Sequence, residues 1–238
     1  MTTTRRQFLT GAAVTAGAVV SGGKAFAEAN PENLPPNVAD WSLYLGASVD
    51  DNPYGMPSTY EADVVRRSVE WLTASRESSI NFTPLYALDG TITPSGVAFE
   101  RHHGGAPSIN PEEYRLMING PVDKPLIFTL NDLKRFPRVT RTYFLECAAN
   151  SGMEWRGAQL NGCQYTHGMI HNMEYSGVLL KHVLEEAGVK TNARWILPEG
   201  ADSAGMTRSI PLEKALDDCL IAFTMNGEAL REEQGYPV

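Results

Sequence analysis

The chain has 238 residues, and its 28 acidic and 20 basic side chains give a formal net charge of −8. An acidic chain is a poor ligand for nucleic acid or for an anionic membrane surface, because both carry negative charge. Three cysteines are too few for a scaffold held together by disulfides, and an odd number leaves at least one thiol free, ligated or paired outside the chain. The length suffices for one domain with a full hydrophobic core.

The first 27 residues have the pattern of an export signal. The arginine pair Arg5-Arg6 precedes a short apolar stretch rich in Gly and Ala, and the small-x-small sequence AFA ends at Ala27. The apolar stretch is shorter than the roughly 20 residues needed to span a bilayer. We predict a twin-arginine signal peptide at residues 1–27 and a periplasmic location. Its removal takes away three basic residues and no acid, so the mature net charge is about −11.

The twin-arginine route carries proteins that are already folded. Export after folding is most useful when a cofactor must be inserted in the cytoplasm, so the leader favours a cofactor enzyme over a simple binding protein.

After the leader, residues 28–80 are predicted to form an N-terminal arm. Pro, Asn and Asp are frequent over residues 28–60, which indicates irregular structure. Apolar residues at helical spacing over residues 61–72 predict one short helix at the end of the arm.

Residues 81–238 are predicted to form the main domain. A strand, a turn, a second strand and a short helix ended by Pro137 occupy residues 114–137. The strongest strand pattern covers residues 140–149. An amphipathic helix is predicted over residues 175–188, with Ser176 as a possible cap and Gly188 at its end.

The last part of the chain continues this mixture of strands and helices. A strand is predicted over residues 193–200, a helix begins near Ser209 and Pro211, and Asn226-Gly227 between two apolar runs predicts a hairpin. Because strands and helices do not alternate regularly, the fold class is α+β rather than a doubly wound parallel sheet.

Cys147 is the first candidate for chemistry, because it stands at the end of the apolar run within the strongest strand pattern and precedes the small residues AANSG. Small residues after a strand let a bound group approach the backbone, and a thiolate is a soft metal ligand. A buried core thiol remains the alternative on residue type alone.

Two further loops carry candidate side chains. The segment FERHH, residues 99–103, combines Arg101, which can bind an oxyanion, with two adjacent histidines; a solvated polar loop is the alternative. Asp202 and Ser203 lie in a loop that leads into a predicted helix, which suits an anion or a polar cofactor.

Cys163, His167 and His171 are spaced by four residues and could bind zinc on one helix face. Two glycines within the segment and the lack of a fourth ligand argue against zinc, and His167 is better explained by hydrogen bonds to a larger ligand or to the core. The chain contains no dinucleotide-binding, phosphate-loop or G-x-S-x-G motif, so nucleotide-binding and α/β-hydrolase functions have no support.

The order and spacing of FERHHG, FLECAANSGMEW, EYSGVLLKHVLEEAG, SIPLEKALDD and MNGEALREEQGYPV resemble the molybdopterin domain of the sulfite oxidase family. Within that family, FERHHGG, NSGMEWRGAQ, QYTHGM and GMTRSIPLEKALDD look like the SoxC-type molybdenum subunits of bacterial thiosulfate-oxidising (Sox) systems. The resemblance implies a sulfite-oxidase-type fold with mixed sheets and short helices.

The resemblance also implies a site. Cys147 matches the cysteine whose thiolate ligates molybdenum beside two dithiolene sulfurs, and Arg101 matches the arginine that attracts sulfur oxyanions. Phe99, Arg101 and His103 match the segment along the pterin, and Asp202 and Ser203 align with a loop that contacts the cofactor. His102 departs from the family, which usually has Asn there.

The implied chemistry is oxygen-atom transfer to a sulfur compound by a molybdenum–molybdopterin cofactor. The chain lacks a C-x-x-C-H haem site, so the resemblance implies a separate c-type cytochrome as electron acceptor. Ser151-Gly152 stand where sulfite oxidases typically have two arginines. This departure favours sulfane sulfur on a carrier protein over free sulfite, although a sulfite dehydrogenase and a cofactor-free binding module remain alternatives.

The resemblance finally implies more chain than is present. The family continues after QGYPV with the rest of the cofactor domain, including a lysine-tryptophan segment, and with an immunoglobulin-like dimerisation domain. We therefore expect the domain at residues 81–238 to be incomplete at its C-terminal end, and the full-length protein to form a homodimer or a heterotetramer.

Overall fold

The computed structural model describes residues 45–48, 50, 51, 53–70, 74–155, 157 and 162–238. The predicted signal peptide and residues 28–44 of the predicted arm lie outside the described residues. Contacts divide the chain into two units, residues 1–56 and residues 57–238. Every element given below belongs to the second unit.

The described part of the second unit combines short strands with short helices. The strands are β1 Arg67–Ser68, β2 Asn81–Phe82, β3 Arg115–Ile118, β4 Leu126–Thr129, β5 Arg138–Glu146, β6 Ile170–Leu179, β7 Trp195–Ile196, β8 Ile210–Pro211, β9 Leu220–Met225 and β10 Glu228–Ala229. The helices are α1 Leu130–Leu133, α2 Cys163–His167, α3 Leu180–Ala187 and α4 Leu212–Asp217. Single 3-10 turns cover Thr59–Glu61, Leu85–Ala87, Ser95–Val97, Gly152–Glu154 and Glu232–Gln234.

A four-stranded antiparallel sheet in the order β10-β9-β6-β5 forms the centre of this unit. β5 pairs with β6 along its whole length, from Arg138 opposite Val178 to Glu146 opposite Ile170. The register of β6 against β9 shifts after Ser176, where Gly177 lets the β9 backbone approach so closely that a methyl group would clash with the Ile221 carbonyl. The predicted strand at 140–149 is thus confirmed up to Glu146.

Antiparallel hairpins and pairs surround this sheet. β3 pairs with β4, β7 with β8, and β1 with β2. The predicted turn between β9 and β10 is present, with Asn226 and Gly227 both at positive φ, 47° and 80°. The short helix before Pro137 is also present as α1, whose start is stabilised by a reciprocal capping box between Thr129 and Asp132.

Three groups of buried apolar side chains hold the elements together, and one of them consists of Ala98, Met173, Met225 and Leu230. The sheet-side core consists of Phe128, Leu130, Leu133, Val178, Val183 and Phe223. The cavity-side cluster consists of Val69, Phe82, Phe99 and Met169, with Ile80, Cys147 and Tyr165 packed against it.

One helix prediction is wrong in this structure, and a second is confirmed only from Leu180 to its predicted end at Gly188. Over the described residues 62–70 the chain is irregular and then forms β1, because Arg66 is engaged in ion pairs and Val69 is buried in the cavity-side cluster. The second predicted helix begins at Leu180 instead of near Ser176. The Ser176 hydroxyl lies 2.7 Å from that of Thr140 on the neighbouring strand, so it stabilises the sheet rather than capping a helix. In both places tertiary contacts override the local helical pattern.

None of the helices in the described residues is long and apolar enough to cross a membrane.

Candidate functional site

Cys147 lies immediately beyond the end of β5, and its thiol is free and half-buried. Its N–H donates to the Met169 carbonyl at 3.0 Å, and its own carbonyl accepts from the Asn150 N–H at 2.9 Å. Its side chain packs against the cavity-side cluster. The position of the sulfur is therefore fixed by backbone bonds on both sides and by apolar packing.

The turn after Cys147 is held by the side chain of Asn150. The Asn150 amide nitrogen donates to Glu146 at 2.9 Å, and its carbonyl oxygen accepts from the Met169 N–H at 3.1 Å. Ser151 follows in the left-handed region, with φ of 59°, and its N–H donates to the Thr166 carbonyl at 2.7 Å. These bonds direct the next residues, Gly152 and Met153, towards a cavity.

The cavity has a volume of about 270 Å³ and adjoins the cavity-side cluster. Its walls are mostly apolar, and Arg101 carries the only charged side chain among its described lining residues. The lining residues are Ile80, Phe82, Arg101, Ala149, Gly152, Met153, Tyr165 and Met169. Cys147, like the lining residues Ile80 and Tyr165, packs against the cavity-side cluster, to which the lining residues Phe82 and Met169 belong. The thiol therefore lies against the same apolar cluster that forms part of the cavity wall.

Arg101 is held on an extended segment that pairs with residues 77–81. Ile80 and Arg101 form an antiparallel bridge, and the His102 N–H donates to the Ser79 carbonyl at 2.9 Å. The Arg101 guanidinium donates to the carbonyls of Ser79 and His102. Both backbone acceptors are neutral, so the positive charge remains available to an anion in the cavity.

The side chains before and after Arg101 form a charged group of their own. Glu100 pairs with Arg66 and also accepts from the His102 Nε2 atom at 3.1 Å. Burial lowers the pKa of His102, while the carboxylates of Glu233 and Asp202 oppose that change. Because side chains alternate along an extended segment, Glu100 and His102 pair with each other while Arg101 reaches the cavity.

Phe99 is buried, and its ring centroid lies 4.9 Å from that of His171. The Phe99 N–H donates to the Thr83 hydroxyl, and its carbonyl accepts from the Gln234 amide, both at 2.9 Å. These bonds and the packing in the cavity-side cluster fix the beginning of the Arg101 segment.

His171 is also buried, and its Nε2 atom lies 2.9 Å from the Tyr175 hydroxyl. Burial lowers the pKa of His171 to about 4 and raises the pKa of Tyr175 to about 12. Among the described residues, the buried His171 Nδ1 and Gln164 Oε1 atoms have no hydrogen-bond partner. Both side chains contact the cavity-side cluster. The Gln164 amide donates to the Phe82 carbonyl at 3.0 Å, and the His171 ring packs against that of Phe99.

The remaining predicted site residues come together beyond the Arg101 segment. Gly104, next to the exposed His103, lies so close to Ser203 that a methyl group on residue 104 would clash with the Ser203 hydroxyl. Asp202 is half-buried, and its charge acts on His102. The structure thus places Cys147, Arg101 and Phe99 around the cavity and its cluster, and it brings the loop of Asp202 and Ser203 against Gly104, the residue after His103.

The zinc alternative finds no support. Cys163 and His167 lie at the two ends of α2, whereas His171 lies on β6 with its ring buried against Phe99. Throughout the part of the chain that the structure describes, no three His, Cys, Asp or Glu side chains are grouped so that they could hold a metal ion.

Sequence reasoning missed several residues of this site. Met153, Tyr165 and Met169 line the cavity, but an aromatic ring or a thioether has no sequence signal that separates a cavity wall from a core. Arg66 was hidden within the wrongly predicted helix. Its pairing with Glu100 could have been found only from the three-dimensional structure.

Comparison with known proteins gives three findings. Residues 103–238 match the family described as "Oxidoreductase molybdopterin binding domain", a match that begins just after Phe99 and Arg101. The mitochondrial sulfite oxidases of Mus musculus and Homo sapiens are 31% and 32% identical to this chain, in each case over 75% of this chain and 35% of the relative. The NADH nitrate reductase of Volvox carteri is 31% identical over 86% of this chain and 25% of its own length.

Among solved structures, the sulfane dehydrogenase SoxCD from Paracoccus pantotrophus is 59% identical, with a TM-score of 0.81 over 88% of this chain and 54% of that chain. The chain therefore spans about a third of the length of the sulfite oxidases and about half of the solved chain.

Proposed function

Because this chain belongs to the family of oxidoreductase molybdopterin-binding domains, we propose that it carries the cofactor domain of an enzyme that oxidises sulfane sulfur held on a carrier protein. One observation carries the proposal: the chain is 59% identical to a sulfane dehydrogenase, but only 31% and 32% identical to the sulfite oxidases. Family membership confirms the expected fold and the molybdenum–molybdopterin cofactor. The proposal further includes a c-type cytochrome as electron acceptor and a periplasmic location after twin-arginine export.

The residues around the cavity fit this cofactor. A group whose own dithiolene sulfurs hold the metal needs few protein ligands, and the free Cys147 offers one soft thiolate beside the cavity. The partnerless buried atoms of His171 and Gln164 provide hydrogen-bonding capacity next to the same cluster. In this assignment Cys147 binds the metal, and the residues that hold the pterin are Phe99, Arg101, His103, Asp202 and Ser203.

When bound, the cofactor supplies two-electron oxygen-atom transfer to sulfur. The oxygen comes from water, so each transferred oxygen atom releases two protons and two electrons, and the electrons pass to the cytochrome. Arg101 binds the negative charge of the sulfur substrate and orients it. The apolar side chains of Phe82, Met153 and Met169 exclude bulk water, which strengthens the attraction between this guanidinium and an anion.

In this proposal, Ser151 and the lining residue Gly152 set the access of the substrate to the cavity. Gly152 lines the cavity without a side chain, and an added Cβ would meet only the Trp155 ring, at 3.9 Å. Two arginines at these positions would narrow the entrance and add positive charge. Their absence favours a substrate that is attached to a larger molecule and is bound by fewer charges.

A free-sulfite dehydrogenase is the second candidate, because a cavity of about 270 Å³ with one guanidinium also accommodates a small oxyanion. A binding module without cofactor is the third. Molybdenum and pterin analysis of the full-length protein separates an enzyme from a binding module. Reduction of a c-type cytochrome with sulfite, or with a carrier protein loaded with sulfane sulfur, separates the two enzymes. Activity with sulfite but none with the loaded carrier protein would contradict the leading proposal.

The entrance can be tested directly with the double variant Ser151→Arg, Gly152→Arg. Two added cations should lower the KM for sulfite about tenfold and raise that for the loaded carrier, because they attract small anions and narrow the entrance. The change introduces no non-glycine residue at a glycine with positive φ, since Ser151 is already a non-glycine residue there, and a Cβ on Gly152 has space.

A charge-matched control is Gly90→Arg, Thr91→Arg. Both positions are exposed, neither lines the cavity, and a Cβ on Gly90 would meet nothing within 4 Å. This control should leave both KM values unchanged. An unchanged sulfite KM in the Ser151/Gly152 variant would show that these residues do not set the substrate.

A further inference from the structure

Oxidation at this cavity produces protons that must leave it. This release of protons rests on the proposed function, in which each oxygen atom taken from water releases two protons. The described lining residues offer an arginine, the Tyr165 phenol and apolar groups, none of which is an effective base near neutral pH. A base is therefore needed beside the cavity walls.

We propose that His167, paired with Glu154, is the proton acceptor through which protons pass from the cavity to solvent. Glu154 ends the 3-10 turn whose other residues, Gly152 and Met153, line the cavity. His167 ends α2, whose Tyr165 also lines the cavity. The Ser151 N–H joins the two elements by donating to the Thr166 carbonyl at 2.7 Å.

Each member of the pair follows a lining residue of the cavity, Met153 or Tyr165, by at most two positions and is partly exposed to water. The His167 Nε2 atom is 3.8 Å from the nearer Glu154 carboxylate oxygen, and the two side chains are 46% and 39% exposed. One face of the pair therefore exchanges protons with solvent, while its backbone belongs to the elements that form the walls. The adjacent carboxylate stabilises the imidazolium once a proton arrives.

Thr166 determines which nitrogen of His167 is the base. The buried Thr166 hydroxyl can donate to the carbonyls of Gly162 and Cys163, both at 3.4 Å, and it lies 2.7 Å from His167 Nδ1. A hydroxyl that donates to a backbone carbonyl accepts the Nδ1–H, which leaves the lone pair of the neutral ring on Nε2, the atom that faces Glu154.

The other titratable groups of the neighbouring elements are weaker bases. Among the described residues, α2 also carries Cys163 and Tyr165, and the 3-10 turn Leu85–Ala87 packed against it carries Tyr86. Thiols and phenols accept protons near neutral pH less readily than imidazole or a carboxylate does. The His167–Glu154 pair is therefore the strongest base on these elements.

The chain contains a matched control pair. His182 and Glu185 on α3 are also partly exposed, with Nδ1 of the histidine 3.3 Å from the carboxylate, but α3 packs on the sheet-side core and contributes no residue to the cavity. A role that belongs to any surface His–Glu pair would appear equally at both places.

The test compares His167→Ala and His182→Ala in the cofactor-loaded full-length enzyme. We expect kcat for sulfur oxidation to fall about tenfold in His167→Ala with little change in KM, and added imidazole to restore it. His182→Ala should behave as wild type with and without imidazole. Loss of activity that imidazole does not restore, or no loss at all, would overturn the proposal.

A second measurement does not depend on activity. In ¹⁵N NMR spectra of the full chain, the neutral His167 ring should carry its proton on Nδ1, and Thr166→Val should abolish this preference because the accepting hydroxyl is gone. A wild-type ring that carries its proton on Nε2 would overturn the proposal. If the wild-type enzyme oxidises no sulfur donor, the proposed function itself fails, which is distinct from a wild-type enzyme that is active and insensitive to His167→Ala.

Discussion

The sheet-side core and the cavity-side cluster are built in different ways. The residues of the core come from β4, α1, β6, α3 and β9, all regular elements. The cluster takes only Phe82 from a strand, the two-residue β2, while Val69, Phe99 and Met169 lie outside helices and strands.

This difference separates two tasks within one unit. Regular elements satisfy their own backbone hydrogen bonds, so their side chains can be entirely apolar. Irregular segments direct backbone carbonyls and charged side chains inwards, as the Arg101 segment does, and can thus form a polar site within an apolar wall. We expect the core to supply most of the stability and the cluster to supply the chemistry.

Replacing Cys147 should produce the largest effect, on molybdenum binding and activity, and should leave the stability of the fold unchanged. In Cys147→Ser, molybdenum content and sulfur-oxidising activity should fall by more than about a hundredfold, since even residues that only support a metal ligand cost 10–100-fold. Metal analysis and the rate of cytochrome reduction measure this. The control is Cys219→Ser, a half-buried free thiol just before β9, which should retain both. Equal metal content in the two variants would refute the assignment of Cys147.

Truncating a buried side chain in the sheet-side core should lower the stability of the fold and leave cofactor binding unchanged. Leu133 is fully buried in α1, and Leu133→Ala should lower the free energy of unfolding by about 3 kcal/mol through lost burial and the cavity left behind. Its effect should be visible in urea titration, while the cofactor affinity of the folded fraction stays unchanged. Ile127→Ala, at a side chain that is 61% exposed, should cost less than about 0.5 kcal/mol. A comparable loss of unfolding free energy in Leu133→Ala and Ile127→Ala would refute the assignment of stability to the sheet-side core.

His171 should make the cavity side sensitive to acid. Its folded-state pKa of about 4 lies below the ordinary histidine value, so the unfolded chain takes up a proton first as the pH falls. This group therefore leaves stability unchanged above about pH 6.5, and costs about 2 kcal/mol between pH 7 and pH 5. Urea titrations of the wild type should show a lower free energy of unfolding at pH 5 than at pH 7. In His171→Gln this difference should be smaller by about 2 kcal/mol.

The fold could be predicted where one local pattern acted alone. Turn chemistry at Asn226-Gly227, the capped helix before Pro137 and the apolar run of β5 all have the predicted form. The two helix errors arose at Arg66 and Ser176, where a long-range ion pair and a cross-strand hydrogen bond decide the conformation. Such contacts have no signature at the positions they control.

The candidate site was predicted in part, and by resemblance rather than by periodicity. Cys147 and Arg101 could be identified because ordered sequence blocks surround them, and the structure places both beside the same apolar cluster. Glu154 could not, because its relation to the cavity depends on how the 3-10 turn Gly152–Glu154 meets α2.

The close approach of Gly104 to Ser203 has a consequence for sequence variation. A side chain on residue 104 would displace the Ser203 hydroxyl and lie tightly against the Ala204 backbone, so we expect these two loops, about a hundred positions apart, to vary together. In an alignment of relatives, residue 104 should stay glycine wherever the loop at 203–204 keeps its length. Relatives that have lost this glycine should carry a compensating deletion or rearrangement in that loop.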